Sequence, residues 1–450
     1  MYETRTPKQR ALVIHPVTKE SAANREPDLR LEEAVGLTIA LGLEVCGAFI
    51  EVIREIRPST YLGKGKIEDF RAQIEVDEVD IVVIDDEITP VQQRNLEKEL
   101  NAKVIDRTGL ILEIFSLRAR TKEGKLQVEL ARLTYERSRL VRTWTHLERQ
   151  RGGTGKTGGP GERQIELDRR LIADKIVKLK KELEQVRRTR GLQRQGRERV
   201  PYPVVALVGY TNAGKSTLFN NATKAKVLAK DMLFATLDTT SRAMKIKNGR
   251  EIILSDTVGF ITDLPHELIA AFRATLEEVA DADILIHVRD ISSPETVAQK
   301  QDVDEILDKI LEDKELIPAV IEAWNKADLL SEAEFNSAQE DAENIFKKTG
   351  TKSVLISAEN GQGLDELFQA VENELAVGSK EGYIKITPID GKIRSWLYEK
   401  GAILNEYPLE DGDVVLKVIL NKINHAKFMA QFHEFVELDF ATLRKLGINP

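Results

Sequence analysis

Cysteine is almost missing from this chain: Cys46 is the only one in 450 residues. A disulfide framework is therefore excluded, and a reducing compartment is the simple expectation. Cys46 itself lies in the apolar run LGLEVCGAFI, where a free thiol is expected in the core. Long apolar runs are missing too. No stretch reaches the roughly 18 residues that a membrane-spanning helix needs, and the opening MYETRTPKQR has no apolar signal core. The expectation is a soluble, cytoplasmic protein with no membrane span. Apolar residues make up 42% of the chain and charged residues 31%. That is enough for real cores, and the length calls for about three or four domains.

The net charge of −8 hides an asymmetry. From Ser116 through Pro201 there are 24 Lys and Arg against 11 Asp and Glu, so the rest of the chain carries −21. A basic arm on an acidic body suggests a local contact with a polyanion. Within the arm, Leu126, Leu130, Leu133, Arg137, Leu140, Trp144 and Leu147 alternate spacings of four and three, as do Ile165, Arg169, Ile172, Ile176, Leu179, Leu183 and Val186. Two such heptad stripes joined by a short breaker predict an antiparallel helical hairpin. At about 1.5 Å per residue it would project on the order of 30–45 Å.

On either side of the arm, strands alternate with helices. RALVIH, LEVCGAFIEVI, VDIVVIDDEIT and NAKVIDR read as strands of an N-terminal α/β domain. STYLGKGKIEDF reads as a connection into a helix at Ile67 rather than a binding loop. After Pro201 and Pro203 the candidate strands are VVALVG, EIILSD, DILIHVRD, PAVIEAWN and KSVLIS, with GLDELFQAVENEL as a closing helix. The block from Gly382 reads as a small α+β domain with no cluster that suggests chemistry. The predicted division is residues 1–115 for the N-terminal α/β domain, 116–199 for the basic hairpin, 200–378 for a nucleotide-binding domain and 379–450 for the C-terminal domain.

Two glycine-rich segments compete as phosphate loop. RGGTGKTGGPGE, from Arg151 to Glu162, contains six glycines, but the required spacing puts Gln150 where the first glycine should stand, and no strand precedes it. GYTNAGKST meets both conditions. Gly209 and Gly214 have the separation of G-x-x-x-x-G-K-[ST], VVALV is a buried strand before it, and TLFNNAT begins a helix after it. That spacing lets the amides of Gly209, Tyr210, Thr211, Asn212, Ala213 and Gly214 wrap phosphates at a helix N-terminus, beside Thr217. Lys215 would reach the β- and γ-phosphates, and the Ser216 hydroxyl would bind Mg²⁺.

Three further pieces follow in order. EIILSDTVGF ends a strand at Asp256, placed to hold Mg²⁺ through water. After Thr257 and Val258, Gly259 offers its amide to a γ-phosphate. Alone, D-x-x-G is a common turn. NKAD follows a strand at Asn325 and Lys326, and the Asp328 carboxylate can accept both donors on the guanine edge. Adenine offers no such pair, so the wrong base would leave a buried carboxylate unpaired. By itself this tetrapeptide could be a helix cap. SAENG places the amides of Ser357, Ala358 and Glu359 where they could hold guanine O6. DMLFATLDTTSR lies where a γ-phosphate-sensing switch belongs, and there Thr236, with Thr239 and Thr240 as rivals, is the second Mg²⁺ ligand. The four motifs in this order resemble the GTPases of the phosphate-loop class. An ATP-driven RNA remodeller using the Arg151–Glu162 stretch is the rival that Asp328 argues against.

Two positions depart from the Ras-type pattern. Phe260 stands where those enzymes carry a water-orienting Gln, so intrinsic hydrolysis should be slow and stimulated by a partner. Asn212 lies three residues before Lys215, where GTPases with Asn often use K⁺, which makes it a candidate K⁺ ligand.

With arm and nucleotide motifs both in place, the chain resembles the HflX family of ribosome-associated GTPases over nearly its full length. The most specific element is RGGTGKTGGPGERQIELD upstream of a domain with Phe after D-T-V-G; YLGKGKIEDF and FATLDTTSR also match. The segment Phe234, Ala235, Thr236, Leu237 and Asp238 favours Thr236 as the Mg²⁺ ligand. The family pattern often has Pro at Thr239 and a basic residue near Thr157, and neither difference removes a function. The resemblance implies Mg²⁺-dependent GTP binding and hydrolysis, a monomer, and binding to the large ribosomal subunit and its rRNA. In several members it implies the splitting of ribosomes under stress. Arg151, Gly152, Gly153, Lys156, Gly158, Gly159 and Arg163 would then touch rRNA at the arm's tip. The alternative is a large-subunit assembly or checkpoint factor without splitting activity.

The Asn212 reading has a direct test. GTP hydrolysis measured at equal ionic strength should run faster in K⁺ than in Na⁺ buffer; equal rates would remove the cation from the site.

Overall fold

The computed structural model describes residues 8–18, 26–150, 160–197, 202–224, 233–234, 239–247, 250–263, 279–312, 317–377 and most of 380–448. Two compact units form. One comprises residues 1–184 with 228–238 and 258–275; the other comprises 185–227, 239–257 and 276–450.

The first unit is built on a four-stranded parallel sheet, ordered β2-β1-β3-β4, from β1 (Arg10–Val17), β2 (Glu44–Val52), β3 (Ile81–Ile84) and β4 (Lys103–Asp106). β1 and β3 are buried almost end to end, which is why they read as unbroken apolar runs. The helices are α1 (Pro27–Ala40), α2 (Lys64–Val76), α3 (Pro90–Leu100) and α4 (Arg107–Arg118). Local chemistry fixes their ends. Thr89 and Gln92 form a capping box ahead of α3, Pro90 takes the first helical position, and Asn101 ends the helix in the left-handed region. Leu12, Ile14, Ile67, Phe70, Val82 and Leu96 belong to one core.

Cys46 corrects an expectation. It lies on the edge strand β2 and is only half-buried, with the Arg10 Nε donating to its Sγ at 3.0 Å. The STYLGKGK segment is a packed connection: Tyr61 and Leu62 are buried, the Tyr61 hydroxyl bonds Asp86, and Gly63 caps α2.

Two long helices follow, α5 (Lys122–Gln150) and α6 (Pro160–Arg197), of 29 and 38 residues. On α6 the expected stripe holds where side chains are described: Ile176 and Leu183 are buried and Ile172, Leu179 and Val186 half-buried, while Arg169 is exposed. On α5 the buried face is turned. Gln127, Val128, Ala131 and Leu133 are buried, whereas Leu126 and Leu130 are only half-buried. The root of α5 packs against α3 and α4, and that contact selects the face. Asp106 fastens the root. Its carboxylate caps α4 through the Gly109 amide at 2.8 Å, accepts the Tyr135 hydroxyl at 2.7 Å, and pairs with Arg139 Nη1 at 2.8 Å. Arg139 also donates to the Ile88 carbonyl and the Gln93 side chain. Burial and the Asp106 charge push the Tyr135 phenol well up, so it stays a donor.

The second unit carries a six-stranded sheet ordered β10-β9-β8-β5-β7-β6, parallel except for β6. Its strands are β5 (Val204–Val208), β6 (Thr240–Lys245), β7 (Glu251–Asp256), β8 (Ile284–Asp290), β9 (Ala319–Asn325) and β10 (Lys352–Leu355). The described helices are α7 (Lys215–Thr223), α8 (Thr296–Leu311), α9 (Glu332–Thr349) and α10 (Leu364–Ala376). β6 is an addition to the sequence reading. It starts at Thr240 in register with Asp256 and runs antiparallel along the edge. The same unit contains a βαββαβ block: β11 (Lys380–Ile386), α11 (Gly391–Glu399), β12 (Ile403–Pro408), β13 (Val414–Leu420), α12 (Lys422–Gln431) and β14 (Val436–Glu437), with the sheet order β12-β13-β11-β14 and the closing α13 (Phe440–Lys445). Among the described residues no helix is long and apolar enough to cross a membrane.

Asp106→Ala should cost about 3–5 kcal/mol, because it leaves Arg139 without its carboxylate in a buried setting and uncaps α4. Urea unfolding of the purified chain measures this; a loss under about 1 kcal/mol would show that the root does not depend on Asp106.

Candidate nucleotide site

β5 delivers the loop Gly209–Gly214 to the N-terminus of α7, at the carboxyl ends of parallel strands. Both glycines are sterically required. Gly209 has φ +146°, and a Cβ there would lie 2.2 Å from the Val288 carbonyl oxygen. Gly214 has φ +97°, and its Cβ would lie 2.0 Å from the Asn325 Nδ2. Asn212, exposed, is held in the left-handed region at φ 59°. Tyr210, Thr211 and Ala213 are buried, and Thr217 is half-buried on α7.

Lys215 is buried at the first position of α7. Its Nζ donates to the carbonyls of Gly209 at 3.0 Å and Tyr210 at 2.7 Å, across the mouth of the loop. Burial pushes its pKa down to about 8, against the pull of the Asp256 charge. The Ser216 hydroxyl donates to the fully buried Asp256 at 2.7 Å. Two hard oxygen donors at this separation suit a small divalent cation such as Mg²⁺ that takes its remaining ligands from phosphate and water. Thr257 is anchored by its hydroxyl to the Leu207 carbonyl at 2.6 Å.

Asn325 joins the loops. Its Nδ2 donates to the Ala213 carbonyl at 2.7 Å, and its Oδ1 accepts the Ala358 amide at 2.8 Å. One buried side chain therefore ties the phosphate loop to the loop after β10, where Ser357 and Ala358 are buried and Glu359 is exposed. Lys326, at φ 64°, pairs with Asp290 at 2.7 Å, and Asp328 is exposed on the 3-10 turn Ala327–Leu329. Asp290 and Asn221, whose Nδ2 donates to the Ala358 carbonyl at 3.1 Å, were missed by sequence reasoning. Asp290 carries a weak signal, as a carboxylate closing the strand DILIHVRD. Asn221 carries none.

Gly259 and Phe234 belong to the first compact unit. Val258, Phe260 and Ile261 are buried there, and so is Phe234, whose ring meets Phe115 edge-on at 4.6 Å. The buried ring of Phe260 cannot orient a water. Ala235, Thr236, Leu237 and Asp238 lie outside the described residues, as do Arg151, Gly152, Gly153, Lys156, Gly158 and Gly159 and the side chain of Arg163. Thr239 and Thr240, the rivals of Thr236, are half-buried at the start of β6.

Four family models match consecutive parts of the chain. They are described as the N-terminal region of a GTP-binding GTPase (residues 28–116), its middle region (118–197), a 50S ribosome-binding GTPase (204–326) and an HflX C-terminal domain (344–434). Among curated proteins, the GTPase HflX of Magnetococcus marinus is 48% identical over 92% of each chain. The GTPase HflX of Escherichia coli is 43% identical over 86% of this chain and 89% of its own. Among solved structures, a GTP-binding protein from Sulfolobus solfataricus in complex with GDP covers 81% of this chain and 98% of its own, at 26% identity and a TM-score of 0.44.

Gly214→Ala forces a Cβ against Asn325 in a backbone conformation that alanine resists. It should lower unfolding stability by about 1–3 kcal/mol and weaken nucleotide binding about tenfold or more. Thermal unfolding and fluorescent-nucleotide titration of the variant check both.

Proposed function

The chain belongs to the HflX family of GTPases, and from that premise we propose that it is a GTP-gated factor of the large ribosomal subunit which splits ribosomes. It hydrolyses GTP. The observation that carries the gating is the Asn325 tie, which makes the phosphate loop and the base-reading loop one rigid receptor. In this reading Lys215 moves from the loop carbonyls to the β- and γ-phosphates, and Asp328 accepts the guanine edge. Ser216 and Asp256 (through water), with Thr236, would hold Mg²⁺, which would supply positive charge against the phosphates. The amide of Gly259 meets the γ-phosphate. Phe260 leaves the attacking water without a side-chain partner, so turnover waits for a group supplied by the ribosome.

The four parts act in series. The N-terminal domain (1–115) roots the arm (116–199), the nucleotide domain (200–378) sets its state, and the block 379–450 completes the chain. The arm holds the excess of positive charge and carries the Arg151–Gly159 loop to rRNA, where phosphate contacts make binding strongly salt-dependent. The setting is therefore cytoplasmic and the working form a monomer. Binding energy of the GTP form drives splitting, and hydrolysis permits release.

Two measurements test this. Asp328→Asn should abolish the preference for guanine over adenine nucleotides in a competition titration. Intact ribosomes mixed with protein and a non-hydrolysable GTP analogue should sediment as separate subunits, with the protein on the large one, and shortening residues 152–161 should prevent it. Co-sedimentation with large subunits while intact ribosomes stay whole would favour an assembly or checkpoint factor instead.

A further inference from the structure

The six-stranded sheet of the second unit stops at β10 on the side away from β6. Backbone groups on that side meet no further strand. The Ile356 amide donates to the Trp324 carbonyl of β9 at 2.8 Å, so Val354 and Lys352, two and four residues back, turn their backbone groups the same way. The alternate residues Ser353 and Leu355 turn theirs outward. Both faces of the strand are covered. Leu355 packs with Ala338 and Ala342 of α9, and Val354 with Leu367 and Val371 of α10. Only the edge between the two helices is open.

A groove of about 500 Å³ follows this edge, lined by α9, β10 and the start of α10. Phe335, Ala342 and Phe346 give it an apolar wall on the α9 side, and the Phe346 ring is half exposed. The cations of the rim are engaged: Lys347 pairs with Glu343 at 3.8 Å, and Lys352 lies over the Phe346 ring at 5.6 Å. Glu366, exposed in the first turn of α10, enters no ion pair among the described residues. Ser353 also lines the groove; it is buried, and its hydroxyl has no hydrogen-bond partner, a costly state for a polar group. The groove shares a loop with the nucleotide site. Gln362 and Gly363 line it, and the Gln362 carbonyl accepts the Ser357 amide at 2.9 Å. A Cβ on Gly363, at φ +74°, would lie 2.2 Å from the Leu355 carbonyl oxygen, so loop and edge touch.

We propose that this groove docks an extended peptide segment of a partner protein as a seventh strand on β10, and that the seated strand steadies the Ser357–Gly363 loop and slows guanine nucleotide release. The outward amides and carbonyls supply the pairing, as in other cases of strand addition to an open edge. Side chains of an added strand point alternately to the two faces. Those on the α9 side meet Phe335, Ala342 and Phe346 and are apolar; those on the α10 side meet Glu366 and are basic. The partner segment is therefore one in which apolar and basic residues alternate. The docking stands on the groove alone. The effect on release rests on the reading of Ser357–Glu359 as the loop that holds guanine, and it is reciprocal, so bound nucleotide also favours the docked strand.

The probe is a fluorescent peptide of alternating valine and lysine, titrated into the full chain by anisotropy beside a control of the same composition in block order. The alternating peptide should bind about tenfold or more tighter than the control, and amide exchange at Ser353 and Leu355 should slow when it is bound. Ser353→Pro removes one outward N–H while the bonds to β9 remain, a place where a strand tolerates proline. It should lower peptide affinity about tenfold with GDP affinity unchanged. Phe346→Ala combined with Glu366→Gln changes only exposed side chains and should do the same, and it decides the matter if Ser353→Pro does not fold. With peptide bound, release of a fluorescent GDP should slow about fivefold or more. Equal binding of the two peptides, or affinity unmoved in both variants, would overturn the docking. A chain that runs as a dimer, and as a monomer after Ser353→Pro, would give the edge to a second copy and overturn it too. Peptide bound at the edge with GDP release unchanged would overturn the coupling. A chain that took the peptide and bound no guanine nucleotide would overturn the GTPase reading and the coupling, and leave the docked strand standing.

Discussion

Everything chemical in the second unit depends on how closely two backbones approach Asn325 and Val288. The loop after β5 can take its observed conformation only because Gly209 and Gly214 leave no side chain between it and the strands β8 and β9. Once there, the loop is held by a single amide side chain that serves two masters, the Ala213 carbonyl and the Ala358 amide. Because Asn325 is buried, neither bond is replaced by water, and breaking either leaves an unsatisfied polar group in the interior. The tie therefore does more than add stability. It holds the loop after β5 and the loop after β10 in one fixed geometry.

The first unit solves a different problem with the same economy of contacts. Arg107 and Asp106 are neighbours at the start of α4, and they face separate partners. Asp106 fastens the root of the long helix α5 through Tyr135 and Arg139, while Arg107 grips the Thr262 carbonyl. The junction of β4 and α4 thus touches both the root of α5 and the segment that follows β7. A shift of α4 by a fraction of an ångström would be felt at both ends, since buried charged hydrogen bonds do not stretch without large cost. This gives the chain a short mechanical path within one compact unit, built from two adjacent residues.

Much of the fold was legible because parallel strands covered on both faces must be apolar throughout. IVVI and ALVIH are too short for helices and rich in β-branched residues, so they read as buried strands. The phosphate loop was legible for a related reason: its glycines encode a local steric demand at fixed spacing. Edge elements were harder. β6, TSRAMK, is mostly exposed, with only Thr240 and Met244 half-buried, and has a partner on one side only, so its apolar signal is weak. Cys46 misled for the same cause, since β2 at the sheet edge leaves an apolar run half open. On α5 the heptad stripe was real, but packing against α3 and α4 turned the buried face to Val128 and Ala131.

What the sequence did not reveal is coupling. Arg107 and Thr262 are 155 positions apart, and neither belongs to a motif. Asn221 likewise bonds Ala358, 137 positions away, and Asn221 belongs to no motif. Motifs survive reading in one dimension because a ligand imposes its shape on a few consecutive residues. A contact between a guanidinium and a backbone carbonyl imposes nothing on the side chain of its acceptor, so Thr262 could be almost any residue and still be held. A grip on backbone tolerates sequence change in the segment it holds, while the gripping side, Arg107 with Asp85 and Glu33, depends on its own side chains.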